Sequence, residues 1–339
     1  MTSPCIPLRI EQSPYELVPK TTLGKLASVR SRKGALLRIR FSDEKIGYAD
    51  CHPWPELGDL PLQELLQQLK RGELTDLTRR SLEFARRDAE ARDSGVSLWS
   101  SDAEIPKSHA LVTDFTTLTS RQLEDFAKQG FTRIKMKAGV SLFEEAALLL
   151  KLAPLLRRLS IQVRLDFNSS LLLADFESFM SSLETARDIV DFIEDPIAYD
   201  GVTWESLQKR FGVRLALDRI SGTEWKSCPV AGFSVLIMKP AIQDLGEMSS
   251  LAKKFEVPLV LTSYLDHPFG QICAAWTASQ CVNQTQVQLE TCGLLSHLVY
   301  EPRSVAGWLH SQGPSLTTPS GKGFGMDEAL KKLEWKVIE

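Results

Sequence analysis

The stretch RIKMKAG, residues 133–139, has the alternation of a β-strand and carries its charges on one side. Successive side chains of a strand point to opposite faces, so that Lys135 and Lys137 share a face. Ile134 and Met136 point the other way, where a layer of helices would cover them. Both ammonium groups would then face the interior side of the sheet, where they need partners from neighbouring strands.

Short apolar runs of this kind recur through the second part of the chain and alternate with amphipathic helical segments. The eight runs are HALVTDF (109–115), TRIKMKA (132–138), IQVRLDFN (161–168), DIVDFIEDP (188–196), VRLALDRI (213–220), FSVLIMKPA (233–241), VPLVLTSY (257–264) and TQVQLETC (285–292). Eight strands with intervening helices predict an α/β fold closed into a (β/α)8 barrel. An open doubly wound sheet is the alternative.

The first part of the chain has a different pattern. KLASVRSRKGALLRIRF and KIGYADCHPWP indicate meander strands, and two leucine- and alanine-rich helices follow them. We therefore predict an α+β domain over residues 1–104, a barrel over residues 105–310, and a tail over residues 311–339. Within the barrel, Ser141 and Glu144 have the spacing of a capping box at the start of a helix.

The bulk composition indicates an ordinary globular protein of one large or two medium domains. The chain has 339 residues, of which 43% are apolar and 24% are charged, and its net charge is −3. This charge gives no reason to expect a nucleic-acid or membrane partner. We find no membrane-spanning run and no signal peptide, and six scattered cysteines look like free thiols. We therefore predict a cytoplasmic location, while the oligomeric state stays open.

Charged or amide side chains stand at the carboxyl ends of the second to sixth runs. They are Lys135 and Lys137, Asp166 and Asn168, Glu194, Asp218, and Lys239. The carboxyl ends of barrel strands meet at one mouth, where barrel active sites are built. Each residue alone has a structural explanation, such as a helix cap, a solvated turn or an ion pair. Three acids in succession between lysine-bearing runs need an explanation that covers them together.

A metal site gives that explanation. Three carboxylates from neighbouring strands make an all-oxygen site, which suits Mg2+ and also accepts Mn2+. Burial and a nearby cation both lower the pKa of an ammonium group, so that a lysine can act as a base. The predicted chemistry is proton abstraction next to the carboxylate of a small-molecule substrate, with the metal stabilising the enediolate.

These residues resemble the signature of the enolase superfamily, and within it the muconate-lactonizing subgroup. The shared motifs are KxK, Asp-x-Asn, Glu-Asp-Pro, Asp and Lys-Pro on successive strands. A Lys or His base working with Mg2+ is an established property of that superfamily. The resemblance covers nearly the whole chain and implies an enolase-like fold: an α+β capping domain, a modified (β/α)8 TIM barrel, and a tail that rejoins the cap.

Within this subgroup, RLDFN, FIEDP, ALD, MKP and TSYLDHPFG look most like the o-succinylbenzoate synthase branch. The resemblance implies that the Mg2+ ligands are Asp166, Glu194 and Asp218, with Asn168 in support. Lys137 would abstract the proton and then serve as the acid, Lys135 would adjust the pKa of Lys137, and Lys239 would stabilise the enediolate. The implied activity is that of a lyase of menaquinone biosynthesis. It dehydrates 2-succinyl-6-hydroxy-2,4-cyclohexadiene-1-carboxylate to o-succinylbenzoate.

Substrate specificity is expected from loops over the barrel mouth. In this superfamily the cap supplies such loops, and the candidates here are residues 11–25 and 50–59. Trp54 in the second loop is interpreted as a lid residue or as an anchor for the cap.

The loop TSYLDHPFG, residues 262–270, departs from the small-residue loop SSxESSxG that is usual at this position. Ser263 and Tyr264 are therefore candidates for specificity. We interpret His267 as a loop or packing residue and not as a base, because the sixth run lacks the Asp partner that such a base needs.

Several alternatives stay open. N-succinylamino acid racemase and muconate cycloisomerase share the catalytic residues of this subgroup. A Schiff-base aldolase would use a lone lysine such as Lys239, although the three acids argue against it. A non-catalytic metal-binding barrel is the alternative from another class.

Overall fold

The structure is a computed structural model of the chain. It describes residues 7–21, 23, 31–99, 104–114, 118–218 and 230–338. Residues 22, 24 and 25 of the first cap loop lie outside the described residues, as do residues 115, 219 and 220 of two predicted strands. No helix within the described ranges is long and apolar enough to cross a membrane.

The N-terminal part of the chain forms a four-stranded antiparallel sheet with the strand order β13-β1-β2-β3. Its strands are β1 (Pro7–Leu17), β2 (Arg32–Phe41), β3 (Ile46–Cys51) and β13 (Lys336–Val337). Strand β13 belongs to the C-terminal tail and pairs with β1, where Glu11 lies opposite Val337. The tail thus returns to the N-terminal sheet, while the domain boundaries at residues 104 and 311 stay a prediction.

Two helices cover this sheet, α1 (Leu62–Lys70) and α2 (Asp76–Asp93). A capping box between Thr75 and Thr78 starts α2. Gly47 lets α2 approach β3 closely, because a Cβ at this position would lie 1.9 Å from the carbonyl oxygen of Ala85. The close approach buries the apolar face of α2 on the sheet.

Seven parallel strands follow one another in chain order and form the wall of a barrel. They are β4 (Ala110–Val112), β5 (Arg133–Lys137), β6 (Gln162–Asp166), β7 (Val190–Glu194), β8 (Leu215–Leu217), β9 (Val235–Met238) and β10 (Leu259–Leu261). All five residues of β7 and all four of β9 are buried, as expected for parallel strands that are covered on both faces.

The eighth predicted run closes the barrel without forming a regular strand. Parallel bridges join Leu289 to Leu259 and Gly293 to Thr262 on the β10 side, and Cys292 to Ser108 on the β4 side. The prediction of a closed, modified (β/α)8 barrel is confirmed, and the open-sheet alternative is wrong.

Helices surround the barrel wall between consecutive strands. They are α3 (Ser120–Lys128), α4 (Leu142–Arg158), α5 (Leu173–Ser182), α6 (Gly201–Phe211), α7 (Leu245–Phe255) and α8 (Pro268–Gln284). Short elements complete the described chain: 3-10 turns at Pro55–Leu57, Glu184–Ile189 and Ser296–Val299, α9 (Pro302–Val305), β11 (Ser311–Gln312), β12 (Ser315–Leu316) and α10 (Asp327–Leu330). The four cysteines that the structure describes are free and buried, in agreement with the sequence.

The start of α4 corrects one prediction. The Ser141 side chain makes no capping hydrogen bond, so the capping box with Glu144 does not form. Instead the buried carboxylate of Glu145 accepts the backbone N–H groups of Gly139 (2.8 Å), Val140 (2.9 Å) and Ser141 (3.3 Å). A carboxylate one residue further along reaches back to three unpaired donors, where a hydroxyl reaches one. This contact fixes the loop that follows β5.

Candidate active site

The strand register brings the predicted residues together at the carboxyl ends of the barrel strands. Lys137 of β5 lies opposite Asp166 of β6, and Asp166 lies opposite Glu194 of β7. Asp218 follows β8 directly, and Lys239 follows β9 directly. Five consecutive strands therefore contribute charged groups to one side of the barrel, as the sequence predicted.

Both lysines of β5 contact the acids of the next two strands. Lys135 Nζ lies 2.6 and 2.7 Å from the two carboxylate oxygens of Glu194 and 2.9 Å from Asp166 Oδ2. Lys137 Nζ donates to Asp166 Oδ2 at 2.5 Å and to Asn168 Oδ1 at 3.1 Å. The backbone N–H of Asn168 also donates to Asp166 Oδ1. Asn168 thus supports both a predicted ligand and the predicted base.

A second ion pair lies on the other side of the acids. Lys239 Nζ donates to Asp218 Oδ2, and the Lys239 backbone N–H donates to Gln243 Oε1 at 2.6 Å. The Asp218 N–H donates to Asp195 Oδ1 at 3.0 Å. Asp195 holds a left-handed backbone with φ of 42°, which is costly for a residue with a Cβ and typical of functional sites. Asp195 therefore positions Asp218, a role that the sequence did not reveal.

The acids and lysines shift one another's protonation. Burial raises the pKa of Glu194 to about 8, and the charge of Asp166 adds to this effect. Burial also disfavours ionised Asp166, but Lys135 and Lys137 outweigh it and hold the pKa of Asp166 well below its ordinary value. Burial likewise disfavours the charged form of Lys135, yet the negative charges of Asp166 and Glu194 outweigh burial and raise the pKa of Lys135. The acids therefore dominate the surroundings of Lys135 and favour its charged form.

The fold implies a divalent metal ion, and the donor atoms of these residues decide whether it fits. In the described part of the chain, no group of three or more His, Cys, Asp or Glu side chains is arranged to hold an ion, since lysine ammonium groups lie between the acids. The chemistry nevertheless fits a hard divalent cation. Asp218 Oδ1 is buried without a hydrogen-bond partner among the described residues, and the raised pKa of Glu194 calls for more positive charge. Asp166, Glu194 and Asp218 would hold Mg2+ or Mn2+.

A cavity of about 500 Å3 opens above this cluster between the cap and the barrel. The three catalytic lysine candidates line it, together with Asp166, Asn168 and Asp218, whereas Glu194 lies behind Lys135. Apolar residues of the cap cover the opposite side. They include Leu23, Trp54, Leu57 and Leu60. The volume is that of a site for a small molecule.

The three specificity candidates also line this cavity. Trp54 is buried, its indole N–H donates to the Tyr264 carbonyl at 2.7 Å, and the Arg32 guanidinium lies 3.4 Å above its ring. The Tyr264 hydroxyl donates to Asp59 Oδ2 at 3.0 Å, and the same oxygen accepts the backbone N–H of Trp54 at 2.8 Å. These bonds make Trp54 an anchor between cap and barrel as well as part of the cavity wall.

The remaining candidates of the loop after β10 have structural partners. The Ser263 hydroxyl donates to Ser296 Oγ at 2.7 Å. His267 Nδ1 accepts the Phe269 N–H at the start of α8, and its ring packs 4.4 Å from that of Trp308. The interpretation of His267 as a packing residue is confirmed by these contacts.

Two buried residues below the acids were not predicted from the sequence. The Arg164 guanidinium donates to Asp191 Oδ2 at 2.7 Å and to the Thr291 carbonyl at 2.6 Å, so it ties β6 to β7 and to the eighth run. His109, just before β4, lies 3.1 Å from Arg164 and lines the cavity. The charged Arg within RLDFN gave a signal, whereas His109 gave none.

Solved structures with the same architecture identify the fold. The muconate lactonizing enzyme from Pseudomonas fluorescens, complexed with muconolactone, is 16% identical, with a TM-score of 0.76 over 98% of this chain and 97% of that one. A dipeptide epimerase from Cytophaga hutchinsonii, complexed with Mg and D-Ala-L-Val, is 16% identical, with a TM-score of 0.74 over 98% and 100%. The fold is that of the enolase superfamily, with its capping domain and modified barrel.

Sequence comparison identifies the family to which the chain belongs. A family model described as "O-succinylbenzoate synthase, N-terminal domain" matches residues 10–91. An o-succinylbenzoate synthase from Bdellovibrio bacteriovorus is 33% identical over 334 residues, which cover 98% of this chain and 99% of the relative. The chain belongs to the o-succinylbenzoate synthase family, and it is an enzyme of the lyase class. A non-catalytic barrel is thereby set aside.

Proposed function

We propose that this enzyme catalyses the Mg2+-dependent syn dehydration of 2-succinyl-6-hydroxy-2,4-cyclohexadiene-1-carboxylate to o-succinylbenzoate, as a step of menaquinone biosynthesis. The proposed substrate is a small carboxylate that binds in the cavity between cap and barrel. A cytoplasmic location remains a prediction from the sequence.

The observation that carries this proposal is the placement of two lysines around the acids. Counted from β4, Lys137 stands on the second strand of the barrel and Lys239 follows the sixth. Strands two and six of a closed eight-membered ring face each other. The acids stand on the third, fourth and fifth strands, between the lysines. A planar carboxylate substrate held at the acids therefore has an ammonium-bearing side chain on each of its faces.

Each of the site residues has a defined role in the proposed reaction. When bound, Mg2+ supplies positive charge to the substrate carboxylate as the neighbouring carbon loses its proton. Lys137 Nζ accepts that proton, and Asp166 with Asn168 holds Nζ in place. The electron pair left on carbon forms the new ring double bond and expels the hydroxyl group. Lys137 returns its proton to this oxygen, which leaves as water on the same face, so that atoms and charges balance.

Lys239 and Lys135 provide fixed positive charge. Lys239 lies on the face opposite Lys137, where its ammonium group stabilises the negative charge that develops on the substrate. Lys135 is held by two acids and keeps its proton, so it attracts the substrate carboxylate and does not compete as a base. The apolar cap wall excludes water from the site and strengthens these interactions.

A racemase activity is a second candidate, because the same two lysines suit it. A base on each face of a carbon can remove a proton from one side and return it on the other. N-succinylamino acids are substrates of this type, and muconate cycloisomerization uses the same residues.

Substrate comparison tests the proposal. We expect the Mg2+-loaded enzyme to convert the cyclohexadiene substrate, followed by the loss of its ultraviolet absorbance, with a kcat/KM at least a hundredfold above that for N-succinylamino acids and muconate. Proton exchange at the α-carbon, followed by NMR in D2O, measures the racemase reaction directly. Preferential turnover of an N-succinylamino acid would overturn the synthase proposal and would favour the racemase.

A further inference from the structure

His109 lies between a buried cation and the catalytic cavity. Its Nδ1 is 3.1 Å from Arg164 Nη1, and its backbone N–H donates to the Cys292 carbonyl at 2.8 Å. The residue is 5% exposed, and it lines the same cavity as Lys135 and Lys137. The imidazole is therefore fixed at both its backbone and its ring, with one edge toward Arg164 and the other toward the cavity.

The contact with Arg164 decides which ring nitrogen of His109 carries hydrogen. A guanidinium group donates hydrogen bonds and accepts none, so Nδ1 must be the acceptor. The neutral ring then carries its hydrogen on Nε2. Burial lowers the pKa of His109 well below its ordinary value, and the charges of Arg164 and Lys135 add to this effect. His109 is thus a neutral group with a single N–H donor.

Because Gly293 has no side chain, it leaves open the space through which a bound molecule can reach the Nε2–H donor of His109. A Cβ at Gly293 would lie 2.9 Å from His109 Nε2, 2.8 Å from Cε1 of the same ring, and 2.9 Å from the Thr262 methyl group. Any larger residue would cover Nε2 or push the ring away. His109, Thr262 and Gly293 all line the cavity and form its donor-bearing wall.

This wall faces the acids across the barrel. Thr262 follows the seventh strand, Gly293 follows the eighth run directly, and His109 precedes the first strand, so the wall is centred on the eighth position. Glu194, the central acid, ends the fourth strand, which lies opposite the eighth in a closed ring. A substrate whose ring carboxylate is held at the acids therefore directs its other end toward His109.

We propose that the His109 Nε2–H group donates a hydrogen bond to an oxygen of the substrate's succinyl chain. This inference rests on the proposed function, since it assigns the group that recognises the part of the substrate remote from the reacting carbon. Arg164 is the positioning residue behind it: its charge polarises the imidazole and fixes its tautomer, so the N–H is a strong donor for an anionic oxygen.

Two substitutions at His109 separate binding from folding. His109→Leu keeps an apolar volume but removes both nitrogens, and we expect it to raise KM for the cyclohexadiene substrate about ten- to a hundredfold with little change in kcat. His109→Gln offers an oxygen to Arg164 and an N–H donor to the cavity, and we expect it to restore KM to within about threefold of wild type. His310→Leu, at an exposed position, is the matched control.

Inhibition constants then identify the recognised group. We expect His109→Leu to weaken competitive inhibition by o-succinylbenzoate about tenfold or more, while inhibition by benzoate, which lacks the succinyl chain, stays unchanged. Gly293→Ala should weaken o-succinylbenzoate in the same way, and the double variant should be no worse than either single one. Equal weakening of both inhibitors, or an unchanged KM in His109→Leu, would overturn the inference. Failure of the wild-type enzyme to convert the substrate would overturn the proposed function instead.

Discussion

At the scale of single residues, the site depends on which acid each lysine contacts. Lys135 lies between two carboxylates, and Lys137 contacts Asp166 together with the neutral Asn168 amide. Two lysines on one strand face therefore have different surroundings. The two carboxylates favour the charged form of Lys135, and Lys137 is the base of the proposed reaction.

Removal of the proposed base is the first prediction. Lys137→Ala should lower kcat for the dehydration by about 10^2- to 10^4-fold, because a positioned general base contributes that much. Ultraviolet-monitored turnover measures the loss, and circular dichroism checks that the fold is kept. Lys253→Ala, at an exposed position on α7, serves as the control. Turnover within tenfold of wild type would contradict the assignment of Lys137.

The proposed metal ligands give the second prediction. Asp218→Asn removes one of three anionic donors, so we expect Mg2+ affinity to fall at least tenfold in calorimetric titration, with turnover recovering partly at high Mg2+. Asp175→Asn, at an exposed position, should bind Mg2+ like the wild type. Unchanged affinity in the Asp218 variant would show that the ion binds elsewhere.

At the scale of elements, the loop between β5 and α4 shows where sequence patterns mislead. The motif Ser141-x-x-Glu144 fits a capping box, but Glu145 makes the contacts, because only its side chain turns toward the barrel and is buried there. Spacing alone does not tell which of two adjacent acids faces inward. This loop follows Lys137 directly, so its hydrogen bonds hold the proposed base.

The third prediction compares two substitutions in this loop. Glu145→Ala leaves three backbone N–H groups without their acceptor, so we expect the free energy of unfolding to fall by about 2 to 3 kcal/mol. Ser141→Ala removes a hydroxyl that makes no cap bond and should cost less than about 0.5 kcal/mol. Urea denaturation of both variants decides between the two caps. If the free energy of unfolding fell more in Ser141→Ala than in Glu145→Ala, this prediction would be contradicted and the capping box would be supported.

The charged strand ends could be predicted from the sequence, because strand periodicity and barrel convergence are local rules. Asp166 and Glu194 were placed correctly, since each ends its own strand in register with its neighbour. The interior partners could not be predicted. Arg164 and His109 meet only through barrel closure, at a sequence distance of 55 residues. The same holds for the bond between Asp59 and Tyr264, which joins cap to barrel.

At the scale of the whole molecule, a buried acid pair lies where the cap meets the barrel. Asp50 of β3 accepts hydrogen bonds from the Tyr15 hydroxyl at 2.6 Å and from the backbone N–H of His267 at 3.1 Å. Asp266 lies beside it, since a Cβ at Gly270 would be 2.6 Å from Asp50 Oδ2 and 2.5 Å from Asp266 Oδ2. Asp266 precedes the packing histidine, so this pair lies behind the loop that carries Tyr264.

The fourth prediction follows from the pKa of Asp266, which burial raises to about 7. The folded state binds this proton more tightly than the unfolded chain does. Its stabilising contribution is therefore complete below about pH 4 and is lost as the pH rises to about 7, a fall of roughly 4 kcal/mol. Burial also raises the pKa of Asp50, and the charge of Asp266 adds to this effect, so Asp266→Asn should lose the part of the fall that Asp266 contributes and keep the part from Asp50. Urea denaturation from pH 4.5 to 8 measures it, with Asp175→Asn as the control. A stability difference from wild type that stays constant over this range would contradict the prediction.

The joint need for a divalent cation and Lys137 is tested most directly by turnover of the cyclohexadiene substrate with Mg2+, then with EDTA, then with Mg2+ restored. We expect rapid conversion to o-succinylbenzoate, its complete loss with EDTA, its return with Mg2+, and a rate at least about a hundredfold lower in Lys137→Ala with Mg2+ present. Conversion that persists after EDTA, or that proceeds in Lys137→Ala within tenfold of the wild-type rate, would contradict a mechanism in which the acids hold a metal and this lysine moves the proton.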